Sequence, residues 1–228
     1  MITASAEAGV RQRPVFRVVH GVVAVVPAVG LVLSLVLLLL SGADVNSGEG
    51  STVAPLGVRL IRFFSYFTIQ SNILILIASI VLMLRPTRDG TIWRIVRLDS
   101  LLAIVITGLV YATLLAPLVE DRGSTASVIA NALLHYICPW LSLVVWLVVG
   151  PRPRISWATV AAAFIWPAAW IAYTLIHGAI SGWYPYPFLD VGQLGYPIAV
   201  RNIFAILVGA GVMALIFRLL DRLPTLRS

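Results

Sequence analysis

Six apolar stretches, each long enough to cross a lipid bilayer as a helix, make up most of this 228-residue chain. A helix needs about 20 apolar residues to span the hydrocarbon core. A soluble protein of this length has too little interior to bury a chain that is 60 % apolar and only 11 % charged. We therefore expect an all-α polytopic membrane protein, with a single integral membrane domain over residues 1–228. The predicted spans are approximately Phe16–Leu40, Leu60–Leu84, Leu98–Val119, Ser127–Val149, Ile155–Ile180 and Ile198–Leu220.

The 16 basic residues are all arginines, and they are distributed unevenly between the two sides of the predicted bundle. They lie singly between apolar runs, so the net charge of +7 does not indicate a nucleic-acid partner. Loops on the cytoplasmic side of a membrane carry an excess of basic residues. The majority on the N-terminal side therefore predicts six helices with both termini cytoplasmic. The twelve arginines on that side are Arg11, Arg13, Arg17, Arg85, Arg88, Arg94, Arg97, Arg152, Arg154, Arg218, Arg222 and Arg227, and the other four are Arg59, Arg62, Arg122 and Arg201.

Polar side chains within the second and fourth spans are the main exceptions to the apolar pattern. Ser65, Thr68 and Asn72 are spaced i, i+3 and i+7, which places them on one helical face. Asn131 and His135 are spaced i, i+4 and also share a face. Thr68 and His135 each lie about eight residues into their span, or roughly 12 Å along a helix axis. The two faces are therefore predicted to meet at one depth, in the outer half of the membrane.

Further polar residues are expected near this depth, and two interpretations of the group remain open. Polar side chains often hold membrane helices together through hydrogen bonds worth about 0.6 kcal/mol on average. A Thr and a His at matched depth, with asparagines nearby, are also the components of an acyl-transfer site. The additional residues are His177, Asp190, Arg201 and Asn202 near the outer ends of the last two spans, and Thr107 and Tyr111 in the third.

Three segments of the chain resemble a known membrane-protein family. The outer segment from His177 to Asp190 reads His-Gly-Ala-Ile-Ser-Gly-Trp-Tyr-Pro-Tyr-Pro-Phe-Leu-Asp, and Asn131-Ala-Leu-Leu-His135 is followed by Pro139. The second span contains Phe-Thr-Ile-Gln-Ser-Asn at 67–72. Together these segments are similar to the androgen-induced integral membrane proteins, and in particular to their bacterial branch, the Pr-six-Pr membrane proteins. The resemblance implies a multi-pass protein of the bacterial cytoplasmic membrane.

The resemblance also implies an intramembrane threonine hydrolase that cleaves lipid esters, such as fatty acid esters of hydroxy fatty acids or a bacterial equivalent. Thr68 is then the expected nucleophile and His135 the expected base, with Ser65 as an alternative nucleophile. Asn72 and Asn131 are the candidates for stabilising the oxyanion. His177 and Asp190 are expected to orient His135, bind the leaving carboxylate or close the outer mouth.

A non-catalytic membrane protein, such as a small transporter, a lipid-binding module or a scaffold, is the alternative. The expected partner is a membrane lipid or a lipid-ester substrate, and no metal-ligand spacing or nucleotide fingerprint indicates a cofactor. The two interpretations differ in geometry. A separation above about 6 Å between the Thr68 hydroxyl and the His135 ring nitrogens would exclude the hydrolase interpretation.

Overall fold

The computed structural model describes residues 14–41, 54–119, 123–152 and 154–223. Every regular element within these ranges is helical, and six helical segments are long and apolar enough to cross a membrane. This confirms the predicted all-α fold with six candidate spans. Four of the arginines used to predict the orientation, Arg11, Arg13, Arg122 and Arg227, lie outside the described residues.

The six spans differ from the predicted boundaries mainly at their starting residues. They are Pro14–Leu40, Phe67–Leu84, Thr91–Leu118, Thr125–Val149, Trp157–Ser181 and Tyr196–Leu220. The α-helices are α1 (Pro14–Ser41), α2 (Leu56–Ser65), α3 (Phe67–Leu84), α4 (Thr91–Val110), α5 (Thr125–Ala132), α6 (Cys138–Val149), α7 (Trp157–Ala163), α8 (Ile165–Ser181), α9 (Val191–Leu194) and α10 (Tyr196–Leu220).

The predicted second span is two helices rather than one. Tyr66 adopts an extended conformation, with φ −64° and ψ 130°, and separates α2 from α3. A helix break at membrane depth is tolerated only where protein groups satisfy the freed backbone atoms. Here three side chains do so at 2.8–3.1 Å. Trp170 Nε1 donates to Ser65 O, the Thr68 N–H donates to Tyr186 Oη, and Gln70 Nε2 donates to Phe64 O.

Two π-helical turns interrupt the third and fourth spans. Tyr111–Leu115 continues α4, and Leu133–Ile137 joins α5 to α6. Pro139 follows the second turn and cannot supply the N–H that would bond the His135 carbonyl in a regular α-helix. Pro167 has the same effect on Ala163, where α7 ends. By contrast, α1 continues through Pro27.

Polar contacts join the spans at the end of the bundle that carries Arg88, Arg94, Arg152, Arg154 and Arg218, which we call the arginine-rich end. Arg152 Nη1 donates to the Leu220 carbonyl at 2.9 Å. Asp221 accepts the backbone N–H groups of Arg154 and Ile155 at 2.6 and 2.7 Å. Burial raises the pKa of the Asp221 carboxyl, whereas the N–H of Ile155 and the nearby arginines oppose that rise. The Thr68 site lies towards the opposite end.

Candidate functional site

Thr68 and His135 form a direct buried contact. Thr68 Oγ1 lies 3.3 Å from His135 Nε2. Their residues are 3 % and 1 % exposed, so bulk water does not compete for this contact. The distance is far below the 6 Å limit and within the range of loose catalytic hydrogen bonds in substrate-free enzymes. The two residues come from different spans, at the start of α3 and in the π-helical turn Leu133–Ile137.

The His135 ring is held in one orientation by its neighbours. Its Nδ1 lies 3.2 Å from the Asn131 carbonyl, which can accept but not donate a hydrogen bond. The Tyr111 ring stacks on the imidazole, with centroids 4.0 Å apart and an interplanar angle of 26°. Asn131 Nδ2 in turn donates to Tyr111 Oη at 2.6 Å. The neutral tautomer with its proton on Nδ1 therefore presents the Nε2 lone pair to the Thr68 hydroxyl.

Tyr186 is a third member of the site that the sequence analysis did not identify as a functional residue. Its Oη accepts the backbone N–H of Thr68 at 3.1 Å and lies 3.3 Å from Thr68 Oγ1. Because Tyr186 Oη accepts that N–H, its own proton can be donated to Thr68 Oγ1. A chain of hydrogen bonds then runs from Tyr186 through Thr68 to His135. Tyr186 belongs to the Tyr-Pro-Phe-Leu motif. In the sequence that motif indicated a resemblance to a family, but no role for Tyr186 itself.

The helix break places Thr68 at the beginning of a helix. Thr68 is the second residue of α3. The first N–H groups of a helix lack intrahelical partners, and the helix dipole favours negative charge at this end. This end of α3 therefore favours negative charge close to the Thr68 side chain, while the Thr68 N–H itself is bonded to Tyr186. No proline or glycine marks this break in the sequence.

The two asparagines predicted to stabilise an oxyanion hold backbone and ring groups in place. Asn72 Nδ2 donates to the carbonyls of Thr68 and Leu134 at 2.8 and 3.3 Å, which joins α3 to the π-helical turn. Asn131 Nδ2 bonds Tyr111. Neither amide nitrogen is hydrogen-bonded to the Thr68 hydroxyl, which lies 3.3 Å from both Tyr186 Oη and His135 Nε2.

Ser65, the alternative nucleophile, belongs to a separate polar group. Its hydroxyl donates to the Ile61 carbonyl at 2.7 Å and lies 2.6 Å from Tyr173 Oη. The Tyr173 ring stacks on His177, with centroids 5.5 Å apart. Ser65 forms no hydrogen bond with His135, so the geometry favours Thr68 as the hydroxyl that has a base.

His177 and Asp190 do not contact the Thr68–His135 pair. His177 interacts with Tyr173, with Trp183 and, at 3.4 Å from its Nδ1, with the Ser181 hydroxyl. Asp190 caps α9 by accepting the backbone N–H of Gln193 at 3.2 Å. The expected single polar layer is therefore divided into separate groups, because side-chain partners depend on helix packing as well as on depth.

A largely apolar cavity with about 790 Å³ of empty space adjoins Thr68. This figure includes space open to the surroundings, and the volume available to the centre of a water-sized sphere is about 80 Å³. The second, third, fifth and sixth spans and the connection before α9 all contribute to its wall. Thr68, Thr107 and Tyr186 are the hydroxyl-bearing lining residues, while Phe67, Leu102, Ile106, Trp170, Ile203 and Leu207 are among the apolar ones. The nucleophile candidate thus borders a space suited to a hydrocarbon chain.

No cluster of three or more His, Cys, Asp or Glu side chains arranged to hold a metal ion occurs in the part of the chain that the structure describes. Comparisons of the chain with protein-family models, with curated proteins and with solved structures gave no match.

Proposed function

We propose that this protein is an intramembrane hydrolase of lipid esters, with Thr68 as nucleophile and His135 as general base. The observation that carries the proposal is the 3.3 Å contact between Thr68 Oγ1 and His135 Nε2. A free threonine hydroxyl is a weak nucleophile and needs an adjacent base. The resemblance to the androgen-induced membrane proteins is a second, independent support.

In the acylation step, Thr68 Oγ1 attacks the ester carbonyl while His135 Nε2 accepts the hydroxyl proton. The tetrahedral intermediate collapses when its carbon–oxygen bond to the leaving alcohol breaks, and His135 returns the proton to that alcohol. In the second step, His135 takes a proton from water, whose oxygen attacks the acyl-Thr68 ester. Breaking the bond to Thr68 releases the fatty acid and restores both side chains.

We assign oxyanion stabilisation to Tyr186 and to the N-terminal end of α3. The Tyr186 hydroxyl lies 3.3 Å from Thr68 Oγ1, so it is next to the place where an ester carbonyl would be attacked. The dipole of α3 acts in the same direction. Donors held in place before the reaction are effective because they require little reorganisation as charge develops.

The apolar cavity beside Thr68 suggests how the substrate is held. A fatty acyl chain lying among residues such as Leu102, Ile106 and Leu207 would place its ester group near the Thr68 hydroxyl at the wall. We propose that the protein resides in the bacterial cytoplasmic membrane with both termini in the cytoplasm. The site would then lie in the outer half of the bilayer, where a lipid ester can enter sideways from the leaflet.

Labelling with a fluorophosphonate, combined with turnover of a fatty acid ester of a hydroxy fatty acid, tests the proposal. Thr68→Val keeps the side-chain shape but lacks the hydroxyl, so we expect neither labelling nor turnover. Thr68→Ser restores a hydroxyl and should recover part of both. Ser65→Ala is the matched control and should label as the unmodified protein does. Size-exclusion profiles and melting temperatures show whether each variant is folded.

If the folded, unmodified protein shows neither labelling nor turnover, the proposed hydrolase function is overturned. The apolar cavity would then favour the non-catalytic alternative, a protein that binds a lipid chain. Saturable binding of a fatty acid, reduced by filling the cavity with Ala103→Phe, is the outcome expected of that alternative.

A further inference from the structure

A second cleft, at the arginine-rich end, contains four arginines and two aspartates. It is shallow, with about 20 Å³ available to the centre of a water-sized sphere, and lies where the third span begins and the fourth and sixth spans end. Trp93 and Trp146 contribute aromatic surface to its wall. The charged lining residues are Arg88, Arg94, Arg97, Arg154, Asp89 and Asp221.

The two aspartates are already occupied by other groups. Asp89 forms ion pairs with Arg94, at 2.8 Å, and with Arg154. Asp221 accepts the backbone N–H groups of Arg154 and Ile155. Among the described residues, Arg88 and Arg97 have no acidic partner, so the cleft has excess positive charge.

Arg97 is the strongest indication that this cleft binds an anion. The residue is only 8 % exposed, and its Nε and Nη1 atoms are buried without a hydrogen-bond partner in the described chain. Asp99, two residues further on, forms no ion pair with it. A buried guanidinium without a partner is unfavourable, and its planar arrangement of donors matches two oxygens of one phosphate group.

A groove with a partly apolar wall adjoins this cleft. Its volume is about 400 Å³, and it is lined by Val81, Leu84, Arg85, Arg88 and Trp93. Arg88 and Trp93 border both the groove and the cleft. A free phosphate ion would use the cleft alone, whereas a phospholipid would place its phosphate in the cleft and an acyl chain in the groove.

We propose that the arginine-rich end binds an anionic glycerophospholipid, with its phosphate on Arg88 and Arg97 and an acyl chain against Val81 and Leu84. Basic pockets between membrane helices are suited to anionic headgroups, and the interfacial tryptophan fits the same depth. This site is separate from the Thr68 site and does not depend on the proposed hydrolysis.

Native mass spectrometry of the full chain in a neutral detergent tests this inference. We would titrate the protein with dioleoyl phosphatidylglycerol and, separately, with dioleoyl phosphatidylcholine. The anionic lipid should bind at about tenfold lower concentration, and Arg88→Gln or Arg97→Gln should each reduce that preference about fivefold. Arg222→Gln removes an exposed arginine of the same end that does not line the cleft, and should leave the preference unchanged.

Equal binding of the two lipids would overturn the inference, as would an equal loss of preference in Arg222→Gln. Inorganic phosphate at millimolar concentration is the second probe. If it displaces phosphatidylglycerol completely, the site is one for a free anion rather than a lipid. Arg88 is exposed, so Arg88→Gln is expected to fold. If Arg97→Gln does not fold, the lipid preference of Arg88→Gln decides the outcome.

Discussion

The Tyr186 hydroxyl forms two hydrogen bonds with a single residue, Thr68. One holds the backbone N–H at the start of α3, and the other reaches the side-chain oxygen. Removing this hydroxyl takes away the donor beside the proposed nucleophile and also the acceptor of the Thr68 N–H. Tyr186 thus offers a test of transition-state stabilisation that is separate from tests of the nucleophile and the base.

We predict that Tyr186→Phe lowers kcat for ester hydrolysis about 100-fold with little change in KM, because a donor that acts mainly in the transition state is lost. Steady-state kinetics with the lipid ester measures both constants. Tyr173→Phe is the matched control, since its hydroxyl bonds Ser65 rather than Thr68. Equal losses in the two variants would contradict the assigned role of Tyr186.

At the scale of elements, Thr68 and His135 both lie in or beside irregular helix segments. The break at Tyr66 begins α3 just before Thr68, and the π-helical turn Leu133–Ile137 carries His135. A π-turn rotates the residues on either side of it relative to a regular α-helix, and such turns are frequent at functional sites. The contact between Thr68 and His135 therefore depends on backbone that a regular helix could not provide.

Gly108 of α4 permits close approach to the turn that carries His135. A Cβ atom at this position would lie 2.7 Å from Pro139 Cβ and 3.2 Å from the His135 carbonyl oxygen. We predict that Gly108→Ala destabilises the protein by about 1–3 kcal/mol through overpacking. A displacement of His135 by about 1 Å would also slow fluorophosphonate labelling about 100-fold.

Melting temperature and labelling rate check this prediction together. Gly209→Ala in α10 is the control, because a Cβ there meets no atom within 4 Å. Both substitutions add one methyl group to a helix within a span. If they have the same effect, the packing of Gly108 against Pro139 does not position the site.

At the scale of the whole molecule, the two ends of the bundle differ in the residues that line their cavities. The Thr68 site and its apolar cavity lie towards one end, and the basic cleft with Arg97 lies at the other. The excess of basic residues predicts that the second end faces the cytoplasm. The proposed hydrolysis and lipid binding would then take place in opposite leaflets.

We predict that single cysteines at the two ends react with a membrane-impermeant maleimide from opposite sides. In a Cys138→Ala background, Thr125→Cys should be labelled in intact cells, because Thr125 is exposed where the fourth span begins. Arg222→Cys, exposed beyond the sixth span, should be labelled only after the membrane is permeabilised. The reverse pattern would contradict the orientation, and with it the assignment of the site to the outer half of the bilayer.

Sequence reasoning was most successful where a local property decides the structure. Hydropathy predicts the six spans because about 20 consecutive apolar residues have few stable alternatives to a membrane helix. The i, i+4 spacing likewise places Asn131 and His135 together, and the structure joins them at 3.2 Å. His177 and Asp190, which were predicted near the same depth, form hydrogen bonds and ring contacts with other residues, because shared depth does not specify which helices are neighbours.

The sequence by itself therefore determines a six-span helical membrane fold and a short set of unusual polar residues within it. Only the tertiary structure decides that Thr68 meets His135 and Tyr186, which lie 67 and 118 positions away along the chain. The physical reason is that hydropathy and helical period are properties of neighbouring residues. Contacts between spans depend instead on how helices pack. Here they also depend on the π-turn Leu133–Ile137 and on a helix break at Tyr66 that no neighbouring glycine or proline indicates.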